Sequence, residues 1–376
     1  MAYGVRIQAD LSLKQKFLHL NWGLIFLICV VACVGFAALY SAAGASVSPW
    51  AIKQFVRFCV GMVGMVIIAM IDIRFWHRYS YLIYIAGFMM LLAVEIMGHV
   101  GMGAQRWINL GFIKLQPSEL MKIAVIMGLA RYFHLKEARE MRSLVTLGIA
   151  GVFILLPVGL VMQQPDLGTS LMIVMGGAAM FFIAGAPIWL FISGIVAACV
   201  SMPIGWHFIR DYQKQRVLTF LDPERDPLGA GYHITQSKIA LGSGGIKGKG
   251  FLEGTQSHLN FLPEKQTDFI FTLWAEEFGL TGGIFLMLCF GLMFLYCGWV
   301  AFRCRHRFGR LLAFGMTVNF SLYVFINIAM VMGLIPVVGV PLPLVSYGGT
   351  SMLAALIGFG LIMSCSIHRD SKIPRI

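Results

Sequence analysis

At 376 residues, with 59% hydrophobic and only 12% charged, the chain is too apolar to cover a core with polar surface, which excludes a soluble globular enzyme. The net charge of +12 does not point to nucleic acid, because the basic residues fall in short clusters between apolar runs and form no compact basic domain. That pattern belongs to membrane orientation.

A hydrocarbon core of ~30 Å needs about 20 apolar residues per crossing helix. On that rule the sequence predicts an all-α polytopic membrane protein with ten transmembrane helices, near 21–43, 52–71, 79–98, 117–134, 144–163, 168–185, 187–207, 278–302, 311–335 and 347–367. Two of them carry charge. Lys53 and Arg57 start the second, where basic stems snorkel, and Glu119 and Lys122 fall in the first turns of the fourth. With the N-terminus inside, the inner segments hold sixteen Lys and Arg, against Arg106 and Lys114 in the short outer loops. Long segments escape this bias, so the contrast predicts cytoplasmic termini and an extracytoplasmic loop at 208–277, between helices seven and eight. The whole of 1–376 reads as one transmembrane domain, with amphipathic segments in that loop. The eight cysteines show neither a disulfide framework nor a metal pattern.

Every ionisable group at or inside the boundary is a candidate for function, and each has a plain structural alternative. Arg106 and Trp107, in GAQRWINLG, are an interfacial aromatic with a snorkelling neighbour, or a loop that stacks on a sugar and holds a phosphate. Glu119 and Lys122, three apart, neutralise each other or shape a polar cavity. Asp166, after Pro165, caps a helix or contacts substrate. A short echo between LQPSELMK and QQPDLGTS keeps a transporter built from related halves in view.

The run GSGGIKGKG, 242–250, lacks the Ser or Thr of an ATP-binding phosphate loop. It reads as a flexible hinge, or as backbone N–H groups with Lys247 and Lys249 facing a lipid pyrophosphate. In LPEKQTDFIF, Asp268 stands where a polar loop meets an apolar helix. Partial desolvation there suits a general base, the alternative being a helix cap with Thr267. Glu276, eight residues on, is too far along a helix to form a dyad with it and is a remote partner; Glu277 points to the opposite side of the helix from Asp268. Finally, PVVGVPLPLVSYGGTS, 336–351, is non-helical backbone at membrane depth. Ser346, Gly348, Gly349 and Thr350 there offer hydroxyls and N–H groups to a polar ligand, or form a tight loop with none.

These stretches together, in this order along the chain, resemble the shape, elongation, division and sporulation (SEDS) glycosyltransferases. The elongation branch is the nearer, because division-branch sequences usually carry a lysine where Val338, Gly339 and Val340 stand here. The resemblance implies a peptidoglycan glycosyltransferase of the bacterial inner membrane that polymerises lipid II at the outer face during rod-shape maintenance. Its partners would be a class B penicillin-binding protein and the elongation machinery. It implies Asp268 as the base on the acceptor 4-hydroxyl, Glu276 as a second important acid, and Trp107, Glu119 and Lys122 as residues tied to activity or the central cavity. Asn260 stands where some division-branch members have an acid. No cofactor is implied with certainty; a divalent cation, Mg or Mn, on the leaving pyrophosphate stays open, with no dedicated ligands. The rival readings are a lipid II flippase or other transporter, and a non-catalytic scaffold for the penicillin-binding protein.

Overall fold

The computed structural model describes residues 12–97, 99–101, 104–109, 114–137, 139–164, 166–208, 211–223, 229–259 and 264–374. After a short helix α1 (Leu13–Leu18), long helices follow: α2 (Trp22–Ala42), α3 (Ala51–Met70), α4 (Ile73–Met97), α5 (Pro117–Leu135), α6 (Leu144–Gln163), α7 (Leu167–Ala184) and α8 (Ile188–Phe208). The segment between α8 and the next long helix carries α9 (Asp211–Leu221), α10 (Ala230–Ser243) and α11 (Thr255–His258). The chain closes with α12 (Ile270–Arg303), α13 (Arg307–Val331) and α14 (Gly349–Ile367). Among the described residues, eight helices are long and apolar enough to cross a membrane: α2, α3, α4, α6, α7, α12, α13 and α14. Of the other two expected spans, α8 is apolar over the shorter stretch Ile188–Ser201, and α5 carries Glu119, Lys122 and Arg131.

Burial explains how α5 tolerates that charge. It is buried along nearly its whole length and packs against α4, α6, α7, α13 and α14, so its polar groups meet protein rather than lipid. One element departs from an all-helical chain. Between α4 and α5, strands β1 (His99–Gly101), β2 (Ala104–Asn109) and β3 (Lys114–Leu115) form a small antiparallel sheet, pairing Ile108 with Leu115 and Asn109 with Lys114. A connection at the boundary has to pair its own backbone groups, and a hairpin does so. At the opposite end of the bundle the basic clusters are knitted together. Lys16 donates to Met70 O, Arg131 to Arg78 O, and Arg307 to Lys136 O.

The segment between α8 and α12 is bound to the bundle at two places. Helix α10 lies on α12 and α13, where the Ser237 hydroxyl donates to Val331 O (2.9 Å) and so accepts from the Thr272 hydroxyl (2.8 Å). The second place is a break in α12 at Gly279, whose φ of 66° and ψ of −161° interrupt the helical ladder. The glycine run supplies what the break lacks. Leu280 and Thr281 donate to Gly245 O and Ile246 O, while Glu276 O and Glu277 O accept from the N–H groups of Lys249 and Gly250. The approach is close enough to demand glycine: a Cβ on Gly248 would lie 2.0 Å from Glu277 O. The run is therefore a docked splint. The N–H groups of Lys249 and Gly250, expected to greet a pyrophosphate, are already engaged.

Gly248→Ala is therefore expected to destabilise the protein by at least about 1–3 kcal/mol, read as a lowered unfolding temperature in detergent. Gly242→Ala, in α10 with open space where the methyl would go, should be neutral or stabilising by about 0.5–1 kcal/mol. Equal effects at the two positions would show that the run is not docked.

Candidate functional site

The turn 264–269 leads into α12. It closes on itself through Thr267 N to Glu264 O, 3.0 Å, and through the Thr267 hydroxyl to Glu264 Oε2, 2.9 Å. The N-cap of α12 is Phe269, with no side-chain cap, so the expected alternative of an Asp268–Thr267 cap is not what forms. The three carbonyls that follow Lys265 lie outside any helix, and each receives a donor from the region between α13 and α14 or from α13 itself. Tyr347 N donates to Gln266 O at 2.8 Å, the Ser346 hydroxyl to Thr267 O at 2.6 Å, and Asn327 Nδ2 to Asp268 O at 2.9 Å. The clamp is braced from behind: Leu342 N donates to Ser346 Oγ (2.8 Å), and Asn327 Nδ2 also donates to Val340 O (2.7 Å).

Asp268 itself is half-buried. A Cβ on Gly339, where φ is +72°, would lie 3.4 Å from its Oδ2, so the segment meets the carboxylate with bare backbone. Burial pushes its pKa up to about 6, the Glu264 carboxylate adds to the rise, and Arg216 on α9 opposes it. Its carboxylate oxygens accept no hydrogen bond from the described residues.

The other boundary carboxylates are committed. Asp166 caps α7, accepting from Thr169 N (3.2 Å), the Thr169 hydroxyl (2.9 Å) and Gln116 Nε2 (3.2 Å); Arg106 stands 3.9 Å away and donates from Nε to Gln164 O at 3.2 Å. Glu119 takes Lys122 Nζ at 2.8 Å on one oxygen and the Tyr323 hydroxyl on the other, with the Lys122 ammonium 4.2 Å from the Tyr323 ring centroid. Glu119 and Tyr323 line a narrow cavity of about 20 Å³ between α5, α13 and α14, enough for a water or so. Glu276 is fully buried and accepts from Lys249 Nζ (2.8 Å) and Gln256 N (2.9 Å), which fastens the splint to α12. Glu277 accepts from the Ser41 hydroxyl on α2.

Several sequence expectations change in consequence. Ser346 and Thr350 are each 2% exposed, and Thr350 donates to Lys114 O at 3.0 Å, so both hydroxyls serve the fold and neither is offered to a ligand. Gly349 packs against the Arg57 guanidinium and Gly348 against the Ser351 hydroxyl. Glu276 and Lys249 are partners of each other; Lys247 is exposed. Trp107 is half-buried on β2 beside Arg106. Asn260 and Pro165 lie outside the described residues. Among the described residues no three His, Cys, Asp or Glu side chains gather to hold a metal ion. Asn327, Gly339 and Ser41 were not singled out by the sequence; the signal for Asn327 is an amide in the middle of an apolar span, which must find partners inside the protein.

Residues 15–371 match the profile of the FtsW/RodA/SpoVE family, described as cell cycle proteins. The chain is 43% identical over 352 residues to the peptidoglycan glycosyltransferase MrdB of Escherichia coli K12, covering 93% of this chain and 94% of that one. It is 31% identical to the peptidoglycan glycosyltransferase RodA of Treponema pallidum, covering 92% and 97%. Its fold is similar to a chain from a structure of a peptidoglycan synthase complex concerned with coordinating polymerization and crosslinking, at TM-score 0.82 and 30% identity over 94% of this chain and 99% of that one. It is also similar to the rod shape determining protein RodA of Thermus thermophilus, at TM-score 0.71 and 26% identity over 94% and 98%.

The two lysines of the splint separate a structural from a substrate role. Lys249→Ala strands the Glu276 carboxylate in the interior and is expected to cost about 2–3 kcal/mol, the low end for a broken buried pair because Lys249 is partly exposed. Lys247→Ala should leave the unfolding temperature unchanged. Restoration by the double variant Lys249→Met with Glu276→Gln would confirm the pair; equal loss from both single variants would refute it.

Proposed function

The chain belongs to the FtsW/RodA/SpoVE family of cell cycle proteins, and from that membership we propose that it is a peptidoglycan glycosyltransferase of the elongation branch, with Asp268 as general base. The observation that carries the role of Asp268 is the state of its carboxylate. Glu119 and Asp166 have both oxygens hydrogen-bonded within the protein, and Glu276 and Glu277 each accept at Oε1, while Asp268 accepts no hydrogen bond from the described residues.

In this reading the substrate is lipid II, a polyprenyl pyrophosphate bearing a sugar-peptide head. Asp268 takes the proton of the acceptor 4-hydroxyl while that oxygen attacks the anomeric carbon of the donor. The new glycosidic C–O bond forms as the C–O bond to pyrophosphate breaks, and undecaprenyl pyrophosphate leaves with the electron pair. An α-linked donor gives a β-linked product in one displacement, so one base suffices and no covalent carboxylate intermediate is needed. A divalent cation, Mg or Mn, would ride on the pyrophosphate oxygens; the chain supplies no cluster for it among the described residues, and no step is assigned to it. The basic residues gathered at one end of the bundle support an inner membrane orientation with both termini cytoplasmic and the Asp268 turn at the outer face. A class B penicillin-binding protein is the partner, supported by the likeness to a chain of a synthase complex in which polymerization and crosslinking are coordinated.

With labelled lipid II and the protein in complex with its transpeptidase, Asp268→Asn is expected to remove polymerisation by about 10²–10⁴-fold. A base must be ionised to act. Because the pKa of Asp268 is raised to about 6, wild-type kcat/KM should fall as pH drops through that value and be level above it. Glycan chains of normal length from Asp268→Asn would remove it from the mechanism.

A further inference from the structure

Asn327 is fully buried in α13, and both hydrogens of one nitrogen are used on carbonyls from different segments: Asp268 O at 2.9 Å and Val340 O at 2.7 Å. The first belongs to the turn that carries the base. The second is one residue beyond Gly339, the residue whose Cα faces the Asp268 carboxylate. A primary amide is needed for this. Serine has one hydrogen to give and aspartate none, and if the amide were turned over, Oδ1 would face two carbonyl oxygens.

We propose that Asn327 is the positioning residue of the base: its amide ties the Asp268 turn to the Val340 segment at one spacing and so holds the carboxylate against Gly339, aimed at the incoming hydroxyl. The inference rests on Asp268 being that base. Two facts favour positioning over simple packing. The hydrogen bonds of Asn327 go to backbone only, so it contributes no chemistry of its own. And the neighbouring carbonyls already have donors in Ser346 and Tyr347, so the amide is placed where the remaining freedom of the turn, at Asp268 itself, would otherwise lie.

The environment it preserves is well defined. Glu264 and Lys265 share the turn, Arg216 faces Asp268 from α9, and His233 on α10 stands beside Phe269 with ring centroids 6.3 Å apart. From α13 comes Asn327, and the packed segment 336–345 carries no titratable residue. Without the tie the turn would open to water, and the ionised form of Asp268 would be easier to make.

The test is polymerisation of labelled lipid II by the full chain in its transpeptidase complex, from about pH 5 to 8, for wild type, Asn327→Ser, Ser346→Ala and Asp268→Asn. Asn327→Ser is expected to lower kcat by about 10–100-fold while KM for lipid II stays within about twofold, and to move the acid limb of kcat to lower pH. Ser346→Ala, which releases the adjacent carbonyl, should move the limb the same way with a smaller loss of kcat, and it decides the matter if Asn327→Ser does not fold. Loss of kcat by the same factor at every pH, with the limb unmoved, would mean fewer folded molecules and overturns the proposal; so does wild-type behaviour. Activity in Asp268→Asn is the separate result that overturns the base, whatever the Asn327 variant does.

Discussion

A carbonyl that leaves helical geometry at the edge of a bilayer has to find a donor, and the turn ahead of α12 presents three in succession. That requirement organises this end of the bundle. Pro336, Pro341 and Pro343 have no N–H to give and disfavour a helix or strand between α13 and α14, so the segment passes the turn as irregular backbone and reaches it with the Ser346 hydroxyl and Tyr347 N. Asn327 completes the set from inside the membrane-spanning part of α13. Each bond contributes modestly, while an unsatisfied group in this setting would cost about 1–3 kcal/mol, so the arrangement is all-or-none in character.

The same accounting governs the start of α12. The break at Gly279 separates the stretch after Phe269 from the long crossing helix, and that stretch is held on two sides. Glu276 is pinned by Lys249 of the splint and Gln256 of α11, and Glu277 by Ser41 of α2. Trp274 stacks on Phe278 with centroids 4.0 Å apart and donates across the break to Gly282 O at 2.9 Å. The Asp268 turn therefore stands on a short rigid platform. It is fixed below by a pair of buried carboxylates and beside by the proline-rich segment, although it belongs to no regular element.

Much of this could be read from the chain alone, and the part that could not has a common cause. Apolar runs of the right length located the helices, and a carboxylate at a polar-to-apolar border singled out Asp268, because both depend on residue type and position along the chain. What a donor faces depends on the fold. GSGGIKGKG offers backbone N–H groups, and nothing in the string says that they will meet the carbonyls of Glu276 and Glu277 rather than a phosphate. Ser346 and Thr350 were legible as hydroxyls at membrane depth; that they would turn to Thr267 O and Lys114 O was not. The sheet at 99–115 escaped for a related reason, since its strands are two to six residues long and their pairing is set by the hairpin rather than by hydrophobic period. Asn327 was visible only as a polar residue out of place.

The distribution of partners among the acidic residues then has a mechanistic meaning. A carboxylate whose oxygens already accept internal hydrogen bonds has little left with which to receive a substrate hydroxyl. Asp166 and Glu119, both buried at the starts of their helices, have their oxygens taken up in this way by the protein. Asp268 is treated the opposite way. The fold satisfies its backbone carbonyl, buries its side chain against Gly339 with the like charge of Glu264 nearby, and leaves its oxygens without an internal donor among the described residues, so that its proton affinity rises toward the range in which a carboxylate removes a hydroxyl proton effectively near neutral pH, against the opposing charge of Arg216. Holding the main chain tightly while leaving the side chain unpaired is what a turn must do to present a base.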